Sequence, residues 1–438
     1  MTEQDHKPLR LAIAGLGTVG VGVLKILQKN GELIAARTGR AVEVTAVSAR
    51  SRDKDRGVDL SAVAWEDDPV ALAARDDVDV VLELIGGSDG AAKSLVEQAL
   101  NNKKHVVTAN KALIAHHGAG LADIAVAKGV ALNFEAAVAG GIPIVKALKE
   151  SLQANEYGRV YGILNGTCNY ILTEMEETGR DFADVLKDAQ ALGYAEADPS
   201  FDVGGIDAAH KLAILAGLAF GYDIDFDAVQ VDGIEQITEN DINLSKSLGY
   251  RIKLIGSTSL IDGALAQEVG PMLVPHGTPI SDVSGVFNAV AVEGDFVNQC
   301  FFEGPGAGEG PTASAVMGDV IDIARGLVTP PLGLVGGGRG PAKVADKDAH
   351  IGAFYVHLML RDEPGGMAAV TNIFSDHDIS IASMLQSERA EIAGDPVPVV
   401  LITHETTAAR LNVAISAISG LKANAALPRV LPIATFGE

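Results

Sequence analysis

Along the first part of the chain, short apolar runs alternate with stretches whose apolar residues recur at helical spacing. Residues 11–14 form an apolar run that ends in a glycine-rich turn, and residues 19–28 follow with an amphipathic helical pattern. Residues 42–47 and 78–85 predict a second and a third strand, 88–101 a helix, and 105–108 a fourth short strand. Repeated strand–helix units predict a parallel sheet with helices on both faces. The middle, roughly residues 140 to 310, mixes elements without that repetition; 206–220 is helical and 286–292 strand-like. Residues 329–341 (TPPLGLVGGGRGP) are rich in Pro and Gly, a composition that predicts a flexible linker. Beyond it, 353–360 alternates like a strand, 366–376 is helical and two more strand signals follow, the size of a small α+β module.

Composition narrows the function classes. The 438 residues suffice for two to four domains, and 47% hydrophobic with 21% charged residues is ordinary globular usage. A net charge of -23, from 57 acids against 34 Lys plus Arg, repels phosphate backbones and anionic lipid surfaces. Neither nucleic acid nor membrane is therefore expected as a partner. The first ten residues are polar and lack the apolar core of a secretory signal, and runs such as 212–220 fall far short of a bilayer span. A cytoplasmic protein is expected. Cys168 and Cys300 make neither a disulfide framework nor a metal-ligand spacing, so both are expected as reduced thiols.

The first chemical motif is Gly15-Leu16-Gly17-Thr18-Val19-Gly20, which follows a strand and opens a helix. Glycines there let the backbone turn tightly and approach a pyrophosphate, and the helix N-terminus offers unpaired N–H groups to the anion. The motif alone is weak; its position in a βαβ unit separates it from a plain structural turn. The second strand ends in Ser48-Ala49-Arg50-Ser51-Arg52 rather than in an acid. Arginine and serine there suit a 2′-phosphate, which makes Arg50 a candidate contact to NADP; a solvated surface arginine is the alternative. Two further strands end at Glu83-Leu84-Ile85-Gly86-Gly87 and at Thr108-Ala109-Asn110-Lys111, where open α/β sheets bind ligands. Lys111 could hold a carboxylate or orient a nicotinamide.

The segment GYAEADPSFDVGGIDAAHK, residues 193–211, places several acids ahead of one lysine. Asp207 and Lys211 are four apart on the following helix and share a face. On an exposed helix they would be a weak salt bridge. This helix is apolar nearly all round, however, which argues for burial. Carboxylates suit a substrate ammonium, and an alcohol that loses hydride needs a base such as a tuned lysine. With a nicotinamide nearby, the cluster fits oxidation of an amino-acid alcohol. His210 points off the Asp207–Lys211 face and reads as structural. Cys168 is either a nucleophile, as in an acylating aldehyde dehydrogenase, or a packed thiol; no histidine lies near it in sequence.

These segments, with TANKA (108–112), FEAAVAGGIPIV (134–145), NGTCNYIL (165–172) and GPGAGEGPTASAVMGD (304–319), resemble the homoserine dehydrogenase family in consistent order over about the first 320 residues. The resemblance implies interconversion of L-homoserine and L-aspartate 4-semialdehyde with NADP or NAD, in threonine, methionine and isoleucine biosynthesis. It implies Lys211 as acid/base residue and Lys111 between cofactor and substrate. Glu196, Asp202 and Asp207 match the substrate-binding acids, with Tyr194, Gly166 and Thr167 lining the pocket. Gly15, Leu16, Gly17, Thr18, Val19, Gly20 and the later Gly308 match cofactor contacts. A monovalent cation site, sodium by resemblance, matches Glu135 with backbone oxygens near Val138, Gly140 and Ile142. The tail around Val356–Met367 and Ile379-Ser380-Ile381 resembles an ACT domain, which implies an amino-acid effector, L-threonine in this family. Gly366 departs from the aliphatic residue usual there, and a module used only for oligomerisation is the alternative. The expected fold class is α/β: a Rossmann domain (1–137, with a return helix about 312–328), an α+β substrate and dimerisation domain (138–311), a linker (329–349) and a ferredoxin-like ACT domain (350–438). A homodimer or homotetramer is expected from the resemblance.

Overall fold

The N-terminal apolar runs form one sheet of six parallel strands in the computed structural model, which describes residues 7–335, 340–386, 390, 392 and 394–436. The first six residues of the polar N-terminal segment, and 336–339 of the Pro/Gly-rich stretch, lie outside the described residues. The strands are β1 (Leu9–Ala14), β2 (Val42–Ser48), β3 (Ala64–Trp65), β4 (Val80–Glu83), β5 (His105–Thr108) and β6 (Leu132–Asn133), in the order β3-β2-β1-β4-β5-β6. β4 is buried along its whole length and β1 nearly so, which is why both read as continuous apolar runs. Chain order reverses between β1 and β4, and ligands bind open α/β sheets at that reversal.

Helices α1 (Thr18–Thr38), α2 (Ala91–Asn101) and α3 (Lys111–Lys128) connect these strands. α1 runs well past the predicted end at 28. The polar stretch Lys29-Asn30-Gly31-Glu32 breaks the pattern, but Ile34 returns to the core and Gly39, at φ 74°, ends the helix. α2 begins later than 88 because Gly90 holds φ 69°.

The second unit comprises α4 (Ile144–Lys146), β7 (Tyr157–Ile163), α5 (Gly166–Thr178), α6 (Phe182–Ala191), α7 (Ser200–Val203), α8 (Ile206–Phe220), β8 (Gln230–Val231), α9 (Glu239–Ser247), β9 (Tyr250–Ile261), β10 (Ala264–Pro275), β11 (Phe287–Gly294) and β12 (Asn298–Pro305). Its sheet runs β12-β11-β7-β9-β10-β8, antiparallel except where β8 meets β10. α8 lies across β7, β9 and β10 and is buried almost all round, so its charged residues sit inside the protein.

Helix α10 (Glu309–Ala324) then returns to the first sheet, where Val316 and Val320 share a core with Leu11 and Ile13. It packs so closely on α1 that a Cβ on Gly22 would lie 2.8 Å from the Glu309 carbonyl oxygen. It begins at Glu309 and ends at Ala324, earlier at both ends than predicted, and Gly326 at φ 78° follows it.

The C-terminal unit contains β13 (Ile351–Gly352), β14 (Phe354–Arg361), α11 (Gly366–Asp376), β15 (Ile381–Leu385), β16 (Pro396–Thr403), β17 (Thr406–Thr407), α12 (Ala408–Ser419) and β18 (Arg429–Pro432). An antiparallel sheet β15-β16-β14-β18 packs against both helices, with Val356, Leu358, Val370, Phe374 and Leu411 in its core. The Pro/Gly-rich stretch, predicted as a flexible linker, is packed over its described ends. Leu332 is buried, the Gly340 carbonyl accepts from Asp223 N, and just past the stretch Lys343 and Ala345 exchange backbone hydrogen bonds with Leu265 at the open edge of β10. An open strand edge carries unpaired N–H and C=O groups, and Lys343 and Ala345 satisfy them. Among the described residues, no helix is long and apolar enough to cross a membrane.

Candidate active site

The glycine-rich turn after β1 has no room for side chains where it counts. Gly15 takes φ 102°, and a Cβ there would lie 2.3 Å from the Leu84 carbonyl oxygen; on Gly20 it would lie 2.1 Å from the Gly15 carbonyl oxygen. Gly17 caps α1 without a side-chain hydrogen bond, so the first-turn N–H groups and the positive dipole end stay available to an anion. Leu16 and Gly20 are buried, Thr18 is exposed, and Val19 faces the central cleft. Arg50 is exposed beyond β2. Two neighbours are better anchored: the Arg52 and Arg56 guanidinium groups lie 5.9 and 5.7 Å from the Trp65 ring centre, and Arg56 Nε donates to the Leu16 carbonyl at 3.2 Å. Glu83, fully buried at the end of β4, accepts from Ile85 N, Gly86 N and Thr108 Oγ1, which fixes the loop beside the glycine turn.

A cleft of about 580 Å³ separates the nucleotide unit from the second unit. Its walls bring together Val19, Lys111, Gly140, Gly166, Thr167, Tyr194, Glu196, Asp202, Asp207, Lys211 and Gly308. Gly15, Leu16, Gly17, Thr18, Gly20 and Arg50 lie outside it, and so do Glu135, Val138 and Ile142.

At the cleft's base the α8 pair has the geometry that the spacing predicts. Lys211 Nζ lies 2.8 Å from Asp207 Oδ2 and donates to the Leu164 carbonyl at 2.7 Å. An ammonium has three N–H donors, and this leaves one for a ligand. Lys111 Nζ, from the other side of the cleft, reaches Asp207 Oδ1 at 3.1 Å. Burial alone would raise the Asp207 carboxyl, but the two ammonium groups outweigh it and hold it below the usual carboxylate range. Asp207 in turn raises Lys111, and burial raises Asp202. Tyr194 and Glu196 stand exposed at the rim, and Thr167 Oγ1 donates to the Tyr194 carbonyl at 2.8 Å.

Two amides that sequence reasoning missed hold this arrangement. Asn165 Nδ2 donates to Asp202 Oδ1 at 2.9 Å and to Asp207 Oδ2 at 2.8 Å, while its Oδ1 caps α5 at Cys168 N. Asn288 Nδ2 donates at 3.0 Å to the Leu164 carbonyl that also receives Lys211. Neutral amides carry no charge signal in sequence; an Asn just before Gly-Thr at a helix start was the one available cue.

Cys168 is fully buried, its thiol turned to the Asp202 carbonyl at 3.2 Å, and burial pushes its pKa well up. Such a thiol is a packing group, which resolves the two readings against a nucleophile. Cys300 is half-buried on β12. The Glu135 side chain is committed: its carboxylate accepts from Val145 N at 2.9 Å and Lys146 N at 2.8 Å at the start of α4. Burial and the neighbouring Asp319 raise it to about 7. The turn Val138–Ile142 contains two consecutive left-handed residues, Ala139 at φ 53° and Gly140 at φ 52°. Among the described residues, no group of His, Cys, Asp and Glu is placed to hold a metal ion.

Comparison with known proteins follows the same division. Residues 15–135 match the family model described as homoserine dehydrogenase, NAD binding domain; residues 143–321 match homoserine dehydrogenase; residues 356–421 match the ACT domain. The chain is 45% identical over 422 residues to the homoserine dehydrogenase of Pseudomonas aeruginosa, covering 95% of this chain and 96% of that one. It is 40% identical to that of Bacillus subtilis, over 92% of this chain and 93% of that one. The crystal structure of a homoserine dehydrogenase from Thiobacillus denitrificans superposes with a TM-score of 0.91 at 41% identity, covering 98% and 99% of the two chains. A hyperthermophilic archaeal homoserine dehydrogenase in complex with NADPH aligns at a TM-score of 0.62 and 25% identity, over 74% of this chain and 99% of that one.

Proposed function

The chain belongs to the homoserine dehydrogenase family, and from that premise we propose that it interconverts L-homoserine and L-aspartate 4-semialdehyde with NADP or NAD. The observation that carries the reading is the Lys211 ammonium, held by Asp207 and the Leu164 carbonyl with one donor free, on the wall of a cleft that Val19 of the glycine-rich motif also lines. The nucleotide fits the residues present: the turn is too tight for a Cβ at Gly15 or Gly20, Gly17 opens onto free space, and the N-terminus of α1 has no side-chain cap. A bound nicotinamide supplies the hydride acceptor in one direction and the hydride donor in the other.

In oxidation Lys211, as the neutral amine, takes the proton of the substrate hydroxyl; in reduction its ammonium returns that proton to the developing alkoxide. Asp207 orients Lys211 and Lys111 together. Glu196 and Asp202 complete an acidic wall for the substrate ammonium, with Tyr194, Gly166 and Thr167 shaping it. Lys111, which lines the cleft and pairs with Asp207, would meet the substrate carboxylate or the nicotinamide. Gly15, Leu16, Gly17, Thr18, Val19, Gly20 and Gly308 are the cofactor contacts of this reading. Arg50, with Arg52 and Arg56, supplies cations for a 2′-phosphate, and the NADPH-bound archaeal relative supports that choice of nucleotide.

A monovalent cation, sodium by family resemblance, would rest on Glu135 with the carbonyl oxygens near Val138, Gly140 and Ile142. The ACT unit is proposed to take an amino acid such as L-threonine as feedback inhibitor. Division at 1–137, 138–311, 329–349 and 350–438, a homodimer or homotetramer, a cytoplasmic location and a place in threonine, methionine and isoleucine biosynthesis complete the reading. It is tested by supplying L-homoserine, L-serine and L-threonine in turn with NADP and NAD. Turnover confined to homoserine is expected; equal turnover of the other hydroxy amino acids would overturn the substrate assignment.

A further inference from the structure

Two histidines beside the reaction centre have no part in the mechanism above. α3 and α8 pack against each other from opposite sides of the cleft, and each carries half of the Lys111–Asp207 pair. Further along the same two helices, His116 Nε2 and His210 Nε2 lie 3.3 Å apart. That contact needs a proton on one nitrogen and a lone pair on the other, so it exists only while at least one ring is neutral. Phe226 packs on both rings, at 5.0 and 4.3 Å between centres. Phe201 lies 5.5 Å from the His210 ring and also receives Lys111 Nζ at 5.9 Å. His210 Nδ1 is buried without a hydrogen-bond partner. An aliphatic or phenyl side chain would fill this space without stranding a nitrogen, so packing alone does not account for two imidazoles.

We propose that His116 and His210 are a positioning pair for the reaction: their contact locks α3 to α8 and thereby holds Lys111 on Asp207 at the substrate cleft, an inference that rests on the role proposed for those two charges. The charged groups that face His210 are Lys111, Asp207 and Lys211, with His116 opposite; His117, next along α3, turns instead to Asp89 at 3.1 Å. Burial first, then His116, holds His210 down to about 4, so the ring is neutral at neutral pH and the contact is intact there.

The test compares His116→Ala and His116→Gln in the wild-type and Lys111→Met backgrounds, in the full-length protein, with L-homoserine and NADP across pH 5–9. In the wild-type background His116→Ala should lower kcat/KM for homoserine about tenfold, the scale of a lost coupling between neighbouring groups. His116→Gln should recover most of that, because its amide can donate or accept as the ring does. In the Lys111→Met background His116→Ala should cause no further loss. An equal loss in both backgrounds, or a folded His116→Gln as poor as His116→Ala, would overturn the inference and leave the reading of Lys111 intact. Full activity in Lys111→Met would overturn both. Should His116→Ala fail to fold, His210→Leu breaks the contact from the other side and is read against Lys111→Met in the same way.

Discussion

Asp207 holds two ammonium groups on one carboxylate, and little else in the cleft can replace it. Asp207→Asn would leave Lys211 and Lys111 facing an amide in a buried site, and should lower stability by about 3 kcal/mol, as for a broken buried pair, and raise KM for homoserine. Denaturant unfolding and steady-state kinetics check the two effects separately. Cys168→Ala should keep turnover at the wild-type level, since the thiol only fills space and meets the Asp202 carbonyl; a collapse of kcat in folded protein would restore the nucleophile. The Asp207–Lys211 pair was legible because four-residue spacing on an apolar helix leaves few alternatives. Lys111 on Asp207 was not, because that contact depends on how α3 meets α8, far apart in sequence. Asn165 and Asn288 act through backbone carbonyls and carboxylates that sequence does not place.

The nucleotide turn works as an element, and Gly20 is its narrowest point. Gly20→Ala would drive a methyl group into the Gly15 carbonyl, so NADP binding followed by calorimetry should be lost or weakened more than tenfold, beyond the roughly 1 kcal/mol that moderate strain takes. A Gly20→Ala protein that binds NADP as wild type would mean the turn is looser than drawn. The α3–α8 junction carries a pH dependence of definite sign. His210 titrates near 4 in the folded protein and near 6.5 when unfolded, so between those values the unfolded chain binds more protons. Its contribution to stability therefore falls as pH drops from about 6.5 towards 4. Unfolding measured across that window should show a shallower slope in His210→Gln. Strand periodicity located β1, β2, β4 and β5, and the all-round apolar pattern located α8, whereas α1 outran its pattern because a polar turn interrupts a helix that tertiary contact at Ile34 carries on.

At the scale of the molecule, the C-terminal unit is fastened to the second unit far more tightly than a linker of Pro and Gly suggested. One face of its sheet, through Tyr355, Val400 and Ile402, joins the main core. Buried Asp241 of α9 meets His357 at 2.8 Å and also pairs with Arg429, both from the C-terminal unit. The tail continues past β18, where Ala434 N donates to the Leu273 carbonyl and Phe436 stacks on Tyr161 at 3.8 Å. None of this was legible, since charge pairs and strand edges between units leave no local pattern. Asp241→Asn should lower stability by about 3 kcal/mol, the range for a buried pair stripped of one member, as read by denaturant unfolding. The division into nucleotide, substrate and C-terminal units was legible, because each has its own period and motif.

The central claim is that Lys211 moves the proton while the nucleotide turn and the acidic wall bring hydride acceptor and alcohol together. It is tested most directly by homoserine-dependent formation of NADPH, followed at 340 nm, in wild-type and Lys211→Ala protein shown to be folded and able to bind NADP. The account predicts turnover by the wild type and a kcat lower by roughly 10²–10⁴-fold in the variant, the range for loss of general acid–base catalysis. Wild-type turnover by Lys211→Ala would contradict it.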